Sequence, residues 1–301
     1  MSLSTLSEQR KGIWLALACY GIWGLFPLFW YPLNHSAMPA EQILAQRIVW
    51  SSVFALALLL AFSQGRALVV AFRQPKVLAM FALSSLLIAA NWLIYLWAIV
   101  HHHVVEASLG YFINPLFNVL LGFVLFKERL NAWQIAAIAL ALAGIAWLAV
   151  PAGQIPWISL FLAFSFGFYG AVRKFAPMPP LAGLTLETLM LLPFALGYLA
   201  WCGMQNTLVF GELTPLQKTV LFASGAATTL PLLAFAAAAK RITLSLLGIL
   251  QNLSPTAQLL LGLAFGEQLS GARLIGYGLV WLGVLVFLYG VGLQMKREKA
   301  A

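Results

Sequence analysis

Aspartate is absent from this sequence: all eight acids in the 301 residues are glutamate. Charge of either sign is scarce, at 8% of the chain against 62% hydrophobic residues. A soluble domain needs about 25% charged residues to dress its surface, so a water-soluble globule is excluded. Zinc-ligand spacing and a glycine-rich phosphate loop are also missing, which argues against an integral-membrane enzyme built on a convergent catalytic cluster. Cysteine is nearly absent. Cys19 and Cys202 both lie inside apolar runs, so they read as small packing residues rather than a disulfide framework. The segment MSLSTLSEQRK lacks a cleavable signal pattern, so the first apolar run is expected to stay in the chain as a helix.

Long apolar runs are what the sequence has instead. Spanning a bilayer takes about 20 apolar residues, and ten stretches qualify. They lie near 12–31, 43–62, 77–98, 104–126 and 132–150, then near 157–173, 183–203, 219–239, 243–265 and 273–294. The connections are short, so a scaffold or sensor subunit, which needs an output domain outside the membrane, is the weaker alternative to a transporter. The net charge of +9 does not point to nucleic acid, because the seventeen basic residues sit between apolar runs and not along one face. They read as topology. Fourteen of them flank alternate connections, including Arg10, Lys11, Arg66, Lys127, Arg173 and Lys240, while only Lys218 and Arg273 occupy the opposite ones. Basic loops stay in the cytoplasm, so both termini are expected there.

The chain reads as two halves, 1–150 and 151–301. FKERL at 126–130 matches FGEQL at 265–269, and the same offset pairs Leu140 with Leu279 and Gly144 with Gly283. Pro115 pairs with Pro255, Gly122 with Gly262, and YGIWG at 20–24 with FGFYG at 166–170. Five spans per half is odd, so the second copy is inverted across the membrane. The fold class expected is therefore all-α integral membrane: ten transmembrane helices in two inverted-topology five-helix repeats. Such repeats hold a substrate site near the midplane, where the halves meet.

Polar residues mark where that site would be. Pro115 and Pro255 fall mid-span and are expected to break their helices, because proline denies a hydrogen bond to the carbonyl four residues earlier, here Tyr111 and Gln251. Such carbonyls are tolerated only against protein or a wet cavity. Tyr111, Asn114, Asn118 and Gly122 share one helical face; Gly248, Gln251, Pro255, Gln258 and Gly262 share another. A single asparagine is as well explained by bonding across helices, but two corresponding helices with mid-span prolines favour a cavity. Tyr20, Trp23 and Pro27, Asn91 with Tyr95, and Thr228 with Pro231 supply further walls, with Tyr169 the counterpart of Trp23. Rings and uncharged amides suit a small amphipathic solute, not a phosphate ester.

Three charged residues need reasons. Arg47 lies roughly 7 Å inside the second span, where its stem can snorkel outward or make a structural bond. Glu187 lies at similar depth in the seventh span, as the candidate repeat counterpart of Arg47. Glu106 starts the fourth span after the histidines 101–103. Either glutamate could carry a proton if partly desolvated, and Glu106 reads equally as a hydrated acid at a helix start. The adjacent histidines lack other ligands, so no metal is expected, and no cofactor. The partners expected are the lipid bilayer, a small-molecule substrate and protons as a candidate coupling ion, with the chain a monomer or weak dimer. Proton antiport and facilitated diffusion both stay open.

GIWLALACYGIWGLFPLFW, QRIVWS, NWLIYLWAI, EASLGYFINPLFNVLLGF, FGFYGAVRKF, GLTLETLMLLP and AAKRITLSLLGILQNLSPT together resemble RarD-type members of the EamA family, within the drug/metabolite transporter superfamily. The resemblance covers nearly the whole chain. It implies two inverted five-helix halves around a central cavity, residence in the bacterial inner membrane, and a permease role tied by name to chloramphenicol, with the natural substrate generally unassigned. Asn252 departs from the pattern, which leads one to expect tyrosine there.

Overall fold

A computed structural model describes residues 3–33, 36–100, 104–149, 157–264 and 271–300. These residues form thirteen α-helices, two short 3-10 helices (Tyr31–Leu33 and Val209–Glu212) and, among the described residues, no strand. In chain order the helices are α1 Leu3–Gly24, α2 Phe26–Trp30, α3 Ala40–Ala61, α4 Gly65–Phe72, α5 Pro75–Val100, α6 Val104–Phe126 and α7 Ala132–Ala149. The second part continues with α8 Trp157–Phe175, α9 Pro180–Met204, α10 Pro215–Ala239, α11 Leu244–Gln251, α12 Leu253–Ala264 and α13 Gly271–Ala300. Seven spans are long and apolar enough to cross a bilayer, or eight with the bent α1–α2 pair, and Gly110–Phe126 and Ala132–Leu148 are shorter apolar helices. Large apolar side chains such as Trp14 and Phe194 point outward, 71% and 77% exposed. Such a surface belongs in lipid. The protein is an integral membrane protein built of helices.

Helix starts follow local chemistry. Thr214 and Gln217 form a capping box on α10: the Thr214 hydroxyl accepts from the Gln217 N–H at 3.3 Å and the Gln217 amide oxygen accepts from the Thr214 N–H at 3.0 Å. Glu128 caps α11 from another part of the chain, its carboxylate accepting from the Leu244 N–H at 2.7 Å and the Ser245 N–H at 3.1 Å. An acid there satisfies free N–H groups and the positive end of the helix dipole. Two helices start alike: α3 follows Met38–Pro39 and α9 follows Met178–Pro179, each with an extended proline as N-cap. Arg47 and Glu187 are then both the eighth residue of their helices.

Two span expectations change. The first span bends by 41° at Leu25, between α1 and α2. Pro27 has no N–H for the Trp23 carbonyl, and the Gln258 amide nitrogen of α12 donates to that oxygen at 3.1 Å. The second concerns the paired breaks expected at Pro115 and Pro255. α6 runs on through Pro115, while the ninth span breaks at Asn252, three residues before Pro255. Gly248 lies close against Pro115, leaving room for a proline-bearing backbone inside a continuous helix. A helix the sequence reading did not anticipate, α4, fills the connection after α3 and packs Ala71 against α5 and α9.

The helices pack across the two parts of the chain: α7 on α13, α6 on α8 and α11, α3 on α9 and α10, α1 on α10 and α12, and α5 on α8 and α9. α7 and α13 approach most closely at glycines. A Cβ added to Gly144 would fall 2.7 Å from the Gly276 carbonyl oxygen, and one added to Gly283 would fall 2.8 Å from that of Ala137. An aromatic core of Tyr20, Tyr169 and Phe235 sits at the centre of the bundle.

Candidate functional site

A cavity of about 450 Å³ opens beside this core. The bend after α1 turns Trp23, Phe26, Pro27 and Trp30 toward it. α3 contributes Arg47, α5 Asn91, Trp92 and Tyr95, and α6 Tyr111 and Asn114. From the other part of the chain come Phe166 of α8, Thr228 of α10, and Gln251, Ser254 and Gln258 around the break between α11 and α12. The cavity also reaches Leu33, Ser36 and Met38, in the connection before α3, and Ala40 at the start of that helix.

The amides in the wall have structural duties as well. The Asn91 amide nitrogen donates to the Leu162 carbonyl and the Ser165 hydroxyl, both at 2.9 Å, which fixes α5 to α8. That of Asn114 donates to the Ala163 carbonyl at 2.9 Å and fixes α6 to the same helix. Asn118 donates to the side-chain oxygens of Asn114 at 2.8 Å and Gln251 at 3.4 Å, linking α6 to α11. Helix bonding and cavity lining thus coexist in these residues. Tyr95 and Tyr111 meet edge to face, with ring centroids 5.7 Å apart.

Arg47 is 8% exposed, and its Nε donates to the Thr228 hydroxyl at 3.4 Å. Its guanidinium carbon lies 4.6 Å from the Trp92 ring centroid and 5.2 Å from that of Trp30. Cation–π contacts are worth about 0.5–2 kcal/mol, less than the several kcal/mol that a desolvated ion costs. Even so the side chain is buried and does not snorkel away. Among the described residues it is the one charged group on the cavity wall.

Three expected wall residues lie elsewhere, and one of them, Pro231, is buried in α10 away from the cavity. Tyr20 is fully buried against Trp23 and Phe235, one turn deeper than the cavity. Tyr169 is fully buried too, stacked on Phe235, with its hydroxyl donating to Glu187 at 3.4 Å. Helical spacing puts Tyr20, Trp23 and Pro27 on one face, but the bend at Leu25 turns only the later part of that face into open space. Pro255 and Asn252 are likewise absent from the wall, and the Asn252 side chain donates to the Ile249 carbonyl of its own helix at 3.1 Å. The side chain of Glu106, residues 101–103 and the segment 265–270 lie outside the described residues.

Glu187 belongs to a second cluster, away from the cavity. Its carboxylate pairs with Arg173 at 3.3 Å, both side chains only 2% exposed, and it also accepts from the Ser84 hydroxyl. Arg173 further donates to the Pro180 carbonyl at 2.9 Å and lies over the Phe81 ring. The sequence reading treated Arg173 as a solvated topology charge and missed this. The visible signal was Gly183, where a side chain would strike Arg173 and Phe81. Trp92 was missed because it sits one residue off the Asn91–Tyr95 face, and Trp30 because it lies beyond the bend.

Residues 10–150 match the EamA-like transporter family. An uncharacterized transporter of Bacillus subtilis, YojE, is 41% identical over 300 residues, covering 98% of both chains. The protein RarD of Escherichia coli is 39% identical, covering 93% of this chain and 95% of its own. A chloramphenicol-sensitive protein RarD of Pseudomonas aeruginosa is 32% identical over 92% of this chain and 93% of its own. One solved crystal structure superimposes with a TM-score of 0.67 over 93% of this chain and 97% of its own, at 20% identity, a likeness of fold alone.

Proposed function

The chain belongs to the EamA-like transporter family, among its RarD-type members, and from that premise we propose a secondary transporter that exports small metabolites or amphipathic drugs by alternating access. The observation that carries this reading is a cavity walled by both parts of the chain at two interrupted spans. Interrupted helices lining an internal cavity are how membrane transporters build solute sites. Catalytic machinery is not part of this reading; the protein is a carrier and not an enzyme. One relative is named for sensitivity to chloramphenicol, which makes that compound a reasonable first solute.

The inverted two-half architecture belongs to the same proposal. Ten spans result if α6 and α7 cross alongside the eight longer ones, and both termini then lie in the cytoplasm of a bacterial inner membrane. Helix packing supports a twofold relation. Exchanging each span with the one five later turns α1 on α10 into α8 on α5, and α1 on α12 into α8 on α6, both observed pairs. The glycine contacts obey the same exchange, since Gly144 against Gly276 becomes Gly283 against Ala137. In this orientation the cavity faces outward, and the Arg173–Glu187 cluster closes the cytoplasmic side.

Gln251→Leu is a cleaner test of the site than Asn114→Leu, because Gln251 accepts a long bond from Asn118, at 3.4 Å, whereas Asn114 holds α8 at 2.9 Å. In vesicles loaded with chloramphenicol or aromatic metabolites, flux should fall at least tenfold with folded yield unchanged; wild-type flux would remove Gln251 from the site. With Glu187 held by Arg173, Glu106 is the better coupling candidate. Glu106→Gln should abolish accumulation driven by a pH gradient and spare downhill exchange, and normal accumulation would dismiss it.

A further inference from the structure

Three charged side chains are buried among the described residues: Arg47, Arg173 and Glu187. Arg173 and Glu187 satisfy one another. Arg47 has no carboxylate partner among the described residues, although it occupies in α3 the position that Glu187 occupies in α9. The match of YGIWG with FGFYG carries Arg173 back onto Pro27, a residue of the cavity wall. Where the second half holds a counter-charge, the first half has open space.

The guanidinium is prepared for an anion. Its Nε is held by Thr228, and Trp92 and Trp30 lie against it. No described residue accepts from its two terminal nitrogens, the fork that binds a carboxylate through two parallel hydrogen bonds. We propose that Arg47 is the anion-binding residue of the transport site, and that the solute is a compact organic monoanion, one carboxylate on an apolar or aromatic body. This rests on the reading of the cavity as the transport site. A dianion such as a phosphate ester finds no second cation on the described wall. The volume of about 450 Å³ accommodates a body the size of an aromatic acid. Gln251 and Ser254 lie in the same wall to meet a polar substituent. The sequence suggested a site of rings and neutral amides; the packing adds a charge to it.

The test compares benzoate, phenylacetate and 3-phenylpropanoate with their primary amides as ligands of the purified full-length protein, by thermal stabilisation and by titration. At least one acid is expected to bind ten times more tightly than its amide. Arg47→Gln should erase that preference, and Arg47→Lys should keep part of it. Thr228→Val, which frees Nε without altering charge, should weaken the acid alone and gives a second reading if Arg47→Gln folds poorly. Equal affinity for acids and amides in the wild type, or a preference that survives Arg47→Gln, overturns the proposal while leaving the carrier reading intact. Binding of neither series overturns it as well. Flux of chloramphenicol or of aromatic metabolites, compared between wild-type and Gln251→Leu vesicles, then decides separately whether the cavity is a transport site at all.

Discussion

Arg173→Met is expected to destabilise the protein by about 3–5 kcal/mol, the usual cost of leaving a buried charge without its partner. The variant strips Glu187 of its ion pair while Ser84 and Tyr169 remain as its hydrogen-bond donors. Neither donor cancels a full charge in a site 2% exposed. Arg173→Met with Glu187→Leu should recover most of the loss, because an apolar pair of similar volume replaces an ion pair at little cost. Thermal unfolding of the three proteins in one detergent measures both effects. A single variant as stable as the wild type would mean that Glu187 is solvated, and the cytoplasmic closure proposed from this cluster would go with it. The double variant also separates structure from transport. If the ion pair is what opens and closes, the repaired protein should be stable and locked, with flux far below wild type.

Gly248→Val should be nearly as damaging, by steric means. A Cβ at this position would lie 2.7 Å from the Asn118 Cβ and 2.9 Å from the Pro115 carbonyl oxygen. Neither atom is the end of a flexible side chain. Overpacking of this kind costs about 1–3 kcal/mol, and here the strain falls where α11 crosses α6. Separating those helices would also pull Asn118 from Gln251 on the cavity wall. Loss of all measurable flux is expected, with a lower unfolding temperature. Gly278→Val, where nothing lies within 4 Å, is the control and should leave both unchanged. Equal behaviour of the two variants would show that the crossing is looser than these distances state.

The helices were legible because bilayer length and apolar runs leave few choices. The run expected at 43–62 is α3, Ala40–Ala61, and the one at 219–239 is α10, Pro215–Ala239. Part of the wall was legible too. Trp23, Tyr111, Asn114, Thr228 and Gln251 were singled out by helical spacing near prolines, and Asn91 and Tyr95 by sharing one face of the third span; all seven line the cavity. Spacing tells which side chains share a face, but not what that face meets. Tyr20 therefore looked equivalent to Trp23, although only one of them lies next to the bend. Charges were the hardest to read. Arg173 near a helix end and Arg47 near another look alike in sequence, and both suggest a solvated head group. Only the packing of α9 over the first, and of Trp30 and Trp92 over the second, tells a satisfied ion from a vacant one.

The bond from Gln258 to the Trp23 carbonyl has a consequence for the cycle. It ties the tryptophan-bearing shelf at the end of α1 to α12, and in the alternating-access cycle proposed above, rocking that parts the two halves would undo it. An oxygen stripped of that donor cannot turn to lipid, so water or cargo has to arrive as the shelf swings. In the proposed cycle, hydration would thereby be built into the stroke.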